Sequence, residues 1–325
     1  MSEIPMPDWP GPPDSANEAD AARVGAVLGL FIVGPVILFL VWIAGFFWEW
    51  PKIVLRNWYV VFCSTMFLMG FIVIALRKRF AEEERLTLWE HHKKIIPRIR
   101  AGEREFAGEN LCGAELSNLD LAGINLCEAK LAKTNFSGSD LAEANLFDAY
   151  MEKANLANSS LTGTNLEKAF LLQANLRETN LNKAMLEDAE LSFADFSGAD
   201  LSFMILDGRN LKWCVFTKAN LNGASLNNVD FAVADFEEAS LTDSSLTSTK
   251  LSNANFKGAI LQNADLSEAD LFRAKFMHAN LAGAILKNAN LKQADLTSAN
   301  VSDEQLAQVK SLKGATMPDG TKFSL

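Results

Sequence analysis

From Phe106 to Val301 a large apolar residue recurs at every fifth position without a slip, and no other feature of the chain limits its fold so tightly. Apart from Met151 and Val301, each of these positions is Leu or Phe. On a straight α-helix five residues advance about 500°, so successive leucines drift by about 140° and share no face. In an extended strand an odd spacing throws alternate leucines onto opposite sides. All of them stay inside only if the chain turns a corner once per repeat. The result is a solenoid in which each coil buries its leucines against the coils above and below. Two residues before each leucine stands a small residue, usually alanine, as at Ala144, Ala154 and Ala174; the position between them is mostly Asn or Asp, as at Asn145, Asn155 and Asp265.

Units such as LAEANLFDAY (141–150), LTGTNLEKAF (161–170) and LKNANLKQAD (286–295) resemble those of the pentapeptide-repeat proteins, and the resemblance covers 106–301. It implies an all-β solenoid: a right-handed quadrilateral β-helix with four repeats per coil and with the Leu/Phe centres and small residues inside. Residues 20 apart then stack. About ten coils at about 4.8 Å each give a rod of roughly 45–50 Å. Both ends of such a rod need covers. At the far end Ser302-Asp303-Glu304-Gln305 has the form of a capping box that opens a short helix. Leu306, Val309 and Leu312 fall on one side of that helix, Leu312 and Met317 resume the spacing one step out of register, and Pro318-Asp319-Gly320 makes a turn. Residues 302–325 are read as this end cap, with an oligomer seam as a second reading. The segment before Phe106 is expected to cover the other end.

The strongly apolar sequence lies upstream. Residues 24–48 form an uncharged run longer than the roughly 20 residues that cross a bilayer core, and 58–76 form a second, shorter one. Pro51 in the short link predicts a transmembrane helical hairpin over 23–77, with Trp48, Trp50, Trp58 and Tyr59 at the headgroup layer. Arg77, Lys78 and Arg79, followed by Lys93, Lys94, Arg98 and Arg100, outnumber Lys52 and Arg56 of the link. The positive-inside bias therefore places both termini and the repeats on the cytoplasmic side of the plasma (inner) membrane. Residues 1–22, rich in Pro, Asp and Glu, read as a flexible acidic tail. Residues 78–105 read as a juxtamembrane amphipathic helix and linker, the helix ending before Pro97. Its two readings are a solvated connector and a contact with anionic lipid.

Departures from the repeat rule mark candidate sites. Met204, Arg209 and Cys214 stand at small inward positions, and Ile205 and Val215 replace the usual Asn or Asp. A buried, unpaired Arg209 is costly, so either Asp207-Gly208 bulges the corner outward or the guanidinium finds a carboxylate. On the outside, Phe193, Trp213 and Val233 share one place in the repeat at intervals of 20, a candidate partner-binding ladder; Tyr150 and Phe170 form a second pair. The bland reading of such ladders is mutual support between coils.

No catalytic constellation, phosphate-cradling glycine loop, metal-ligand set or cofactor motif is found in the sequence. The net charge of −10 disfavours a protein that grips phosphates by bulk charge, and no direct nucleic-acid binding is expected. Four cysteines fit a reducing compartment. The function read from both halves of the chain is a noncatalytic, membrane-anchored scaffold, in contact with lipid through its hairpin, whose rod meets a protein partner the sequence does not name. The alternatives are a DNA mimic that binds a type II topoisomerase, which the resemblance brings in, and an accessory subunit of membrane transport or lipid export.

Overall fold

The computed structural model describes residues 52–324, with side chains from Met69 onward. Two compact units divide the chain between His91 and His92. One helix, α1 (Lys52–Arg100), carries the chain across that division. The segments read as a second span and a separate connector helix are therefore one helix. It also runs through Pro97 instead of ending before it. Proline removes one bond, its own N–H to the carbonyl of Lys93, and the helix continues past it, with the Pro97 carbonyl accepting from the Ala101 N–H at 2.9 Å. Gly102, at φ +93°, ends the helix: the N–H groups of Gly102 and Glu103 turn back to the carbonyls of Ile99 and Arg98. In the first unit Phe71, Ile72 and Ile74 are exposed. Among the described residues no helix is long and apolar enough to cross a membrane. The predicted span 24–48 lies outside the described residues, and so do the side chains of 58–68 in the second span.

The second unit is a four-sided β-helix. Its bridges are parallel and join residues 20 apart, from Glu105 with Asn125 to Asn280 with Asn300. Four repeats thus make one coil, and every repeat contributes one wall and one corner. The Leu and Phe centres are almost all completely buried, with the alanines two positions before them. Phe196, Phe216, Phe236, Phe256 and Phe276 form a continuous interior stack with centroid separations of 4.8–5.0 Å, which is the rise from coil to coil.

The repeat satisfies all five of its backbone N–H groups, and this explains the Asn/Asp preference. In 126–130 the Leu126 N–H donates to Asn145 O in the next coil, Cys127 N–H to the Asn125 side chain, Glu128 N–H to Phe147 O, Ala129 N–H back to Leu126 O, and Lys130 N–H to Glu109 O in the previous coil. The side-chain oxygen therefore caps the one corner amide that no neighbouring coil reaches. Where the residue is Asn its NH₂ also donates one coil back, as in Asn175 to Asn155 and Asn155 to Asn135. The second corner residue adopts left-handed φ throughout, from Asn118 at +55° to Ser298 at +57°.

Both ends of the rod are covered. Ile95 and Ile99 of the last turns of α1 join the buried cluster at the first coil, and the Arg98 guanidinium lies 5.2 Å from the centroid of the Phe106 ring. At the other end α2 (Asp303–Leu306) opens with a capping box: Ser302 accepts from Gln305 N–H, and the Gln305 side chain accepts from Ser302 N–H. The Gln305 amide also donates to the carbonyls of Leu281 and Ala284, which no further strand covers. This turn adds one residue to the coil, so Asn290 pairs with Ser311 and Asp295 with Thr316, 21 positions on.

Candidate functional site

The regular ladder fails at one place within the rod. No bridge joins Met185 to Ile205 or Glu190 to Asn210, although the next bridges, Ile205 with Ser225 and Asn210 with Asp230, are intact. Size is the cause. Met204 and Arg209 stand in columns otherwise held by Ala184 and Ala224, and by Ala189 and Val229. Their bulk keeps the coil of 201–220 attached to the coil after it and props it off the coil before it on two adjacent walls. Ala184 and Ala189, buried elsewhere in the pattern, become half-buried at this opening.

Neither expected remedy for Arg209 is used. The corner at Asp207-Gly208 is regular, with Gly208 N–H donating to Asn227 O at 2.8 Å. The Asp207 carboxylate accepts from the Ser225 hydroxyl at 2.8 Å and the Asn227 N–H at 2.7 Å. Arg209 is half-buried, and its Nε is buried without a hydrogen-bond partner. Cys214, by contrast, fits the repeat. Its thiol donates to Leu191 O at 3.1 Å across the same 23-residue offset by which Thr134 and Thr164 donate to Leu111 O and Leu141 O. Burial pushes the thiol pKa up to about 12. Val215 lies in an intact wall, bridged to Asp195 and Asp235.

Around this coil the exposed apolar residues gather. Phe203 is 79% exposed and Ile205 73%, and Met185, on the same wall as Ile205, is exposed too. Phe203 and Met185 were missed in the sequence, although Phe203 occupies the same corner place as Phe193 and the same rule would have found it. Phe193 and Trp213 stack with centroids 6.0 Å apart and planes 7° from parallel, each about half exposed, and Val233 follows one coil on. Tyr150 and Phe170 pair at 6.0 Å, tilted by 43°. Phe203 and Trp213 are ten residues apart, half a coil, and so stand at opposite corners of the square.

The apolar corner residues Phe193, Phe203, Trp213 and Val233 have φ between +60° and +63°. Glycine and asparagine accept that conformation readily, whereas a β-branched residue there is a true outlier. Val233 is the one β-branched case among the described residues. The conformation itself is the common one of this corner, shared by Lys, Glu, Asp and Asn along the rod, so among the four only Val233 is an outlier, and exposure is what sets the three rings apart.

Charge divides along the same lines. Each outward residue of 105–300 belongs to one of four strips running along the rod, each made of a wall and the corner after it. The strip that carries Tyr150, Phe170 and the Phe193–Trp213 ladder has seven cations (Lys130, Lys133, Lys153, Lys212, Lys250, Arg273 and Lys292) against four carboxylates (Glu152, Glu190, Asp230 and Asp270), a net +3. The strip of Asn155 has four against seven, that of Asp200 one against five, and that of Ile205 two against nine. One strip is positive and three are negative, by 3, 4 and 7 charges respectively. Asp230 lies between Lys212 Nζ at 3.2 Å and Lys250 Nζ at 3.6 Å, which leaves that group of three net positive. Among the described residues no group of His, Cys, Asp and Glu is arranged to hold a metal ion.

Comparison with known proteins agrees with this architecture. The family model for pentapeptide repeats in eight copies matches in overlapping segments from 110 to 232, and that for the pentapeptide repeat region matches 219–296. Among solved structures the chain is similar to HetL, a pentapeptide repeat protein involved in heterocyst differentiation regulation from the cyanobacterium Nostoc sp. strain PCC 7120. The two are 32% identical over 70% of this chain and 98% of HetL, with a TM-score of 0.49. It is also similar to full-length QnrB1, a plasmid-mediated fluoroquinolone resistance protein, at 19% identity over 66% of this chain and 94% of that one, with a TM-score of 0.30. A pentapeptide repeat protein of the Arabidopsis thaliana thylakoid lumen is 20% identical over 45% of this chain and 68% of its own, with a TM-score of 0.15. No curated protein matches.

Proposed function

Because the chain belongs to the pentapeptide-repeat family, we propose that it is a noncatalytic scaffold, anchored in the membrane through residues 24–48 and 58–76 and presenting its β-helix to partners on the cytoplasmic side. The observation that carries the reading is the pair of exposed apolar surfaces at opposite corners of one coil: Phe203 with Ile205 and Met185 on one side, Phe193 with Trp213 and Val233 on the other. A rigid rod with two such surfaces can hold two things at a fixed separation, which is what a scaffold does. The anchor is supported by the two uncharged runs in the sequence and by the exposure of Phe71, Ile72 and Ile74 at the end of the second. The DNA-mimic reading asks for acidity all round, and the positive strip interrupts it.

The test is proximity labelling by the full chain in its own cells, repeated with Phe203→Ala/Ile205→Ser and with Trp213→Ala. The scaffold reading expects the first variant to lose a defined set of labelled proteins while its membrane fraction stays intact. An unchanged labelled set in both variants would exclude both surfaces as docking sites.

A further inference from the structure

We infer that the positive strip of the β-helix, the one carrying Phe193 and Trp213, lies along an anionic lipid surface. The inference rests on the membrane-anchored reading above and names the occupant of one of its two surfaces.

Interfacial protein surfaces combine Lys and Arg with exposed Trp, Phe and Leu, the cations meeting anionic headgroups and the rings entering the headgroup layer. This strip has that composition: Phe170, Leu172, Phe193 and Trp213 are exposed in its middle, and cations such as Lys130 and Lys292 stand toward its two ends. The other three strips are net negative.

Residues 20 apart stack in register, so Lys130 and Lys292 are separated by about eight coils, or about 39 Å along one side of the rod. A straight side of that length meets a flat bilayer along its whole extent.

The strip of Asp200, with one cation and five carboxylates, lies opposite, and those of Ile205, with two and nine, and Asn155, with four and seven, flank it on either side. Any other roll of the rod would turn a net-negative strip toward anionic headgroups, so the field of the leaflet selects the one that puts the positive strip there. Phe203, half a coil from Trp213, then faces away from the lipid and stays open to a protein.

The experiment uses the full chain in vesicles of phosphatidylcholine alone and of phosphatidylcholine with phosphatidylglycerol, with the photocrosslinker p-benzoylphenylalanine at position 193 or, as the control, at position 203. Lipid adducts at 193 and none at 203 are expected in the anionic vesicles. Each of Lys130→Gln and Lys292→Gln should lower the adduct yield about fivefold, and molar salt should do so further. Protein adducts in place of lipid at 193, from a partner or a second copy, would overturn the inference, as would equal lipid yields at 193 and 203. Flotation with the neutral vesicles reads the anchor separately. Failure to float there, with lipid adducts still forming at 193 in anionic vesicles, removes the anchor and keeps the strip; failure in both vesicle types removes both.

Discussion

The ring of Phe203 lies against Gly223 one coil on, with Cδ1 and Cε1 2.6 Å from where a Cβ on that glycine would stand. The same corner arrangement recurs where the side chains of Asn118, Glu143 and Asn263 lie over Gly138, Gly163 and Gly283. A corner side chain leans toward the next coil, and a glycine there gives it room. Gly223, at φ +65°, is both conformationally required and sterically covered. Gly223→Ala should lower stability by about 1–2 kcal/mol, by left-handed strain and by displacing the ring. Thermal unfolding of Gly223→Ala with and without Phe203→Ala separates the two: the double variant should recover the steric part only.

Phe236 sits in the interior stack between Phe216 and Phe256, at 5.0 and 4.8 Å, with Phe231 edge-on at 5.0 Å. Phe236→Ala should cost about 3–5 kcal/mol, because a closed coil cannot collapse into the space. Phe236→Leu restores the residue most repeats use and should cost less than about 1.5 kcal/mol. Urea titrations of the two variants check the difference.

Val233 gives a prediction of opposite sign. Its φ of +63° suits asparagine far better than a β-branched residue, so Val233→Asn should raise stability by about 1 kcal/mol. A fall in melting temperature would show that Val233 is held by packing.

Cys214 predicts a pH effect. Burial disfavours its thiolate, so the folded pKa of about 12 lies above the ordinary thiol value of 9.0. The thiol's contribution to stability is present in full below pH 9 and is lost as the pH rises toward 12, because only the unfolded chain ionises in that window. Cys214→Ala, a residue common at this inward position, should be close to neutral at pH 7 and less sensitive than the parent above pH 9. The comparison is of unfolding midpoints against pH for the two chains.

Much of the architecture was open to reading from the leucines alone, since five residues fit neither a helix face nor a strand face. The number of walls was not, because corner angle is a property of backbone geometry that spacing does not carry; it came from the resemblance and is seen in the 20-residue bridges. The Asn/Asp preference was visible, but its reason, one corner amide without a neighbour in the stack, needs coordinates. The sequence pattern reads Pro97 as a stop, whereas the helix loses one N–H there and ends at Gly102, whose left-handed φ turns the chain. In the irregular coil the odd residues were identified, but Cys214 proved to be an ordinary inward donor and Arg209 part of a wedge. Wedging is decided by how much room neighbouring coils leave; Phe203 shares the corner place of Phe193 and is legible by the same rule, and Met185 replaces the usual Asn or Asp of its wall.

The stacking of residues 20 apart underlies every statement above, and distances measured along one corner test it most directly. With the native cysteines replaced, a spin label at Asp148→Cys is paired in turn with labels at Asn228→Cys, Ser248→Cys and Glu268→Cys. These pairs lie four, five and six coils apart, and pulsed electron paramagnetic resonance should give about 19, 24 and 29 Å, a step of about 4.8 Å for every 20 residues. Distances that do not rise by that step, or that are broad and unordered, would contradict the four-sided rod and with it the two opposed corners on which the function is argued.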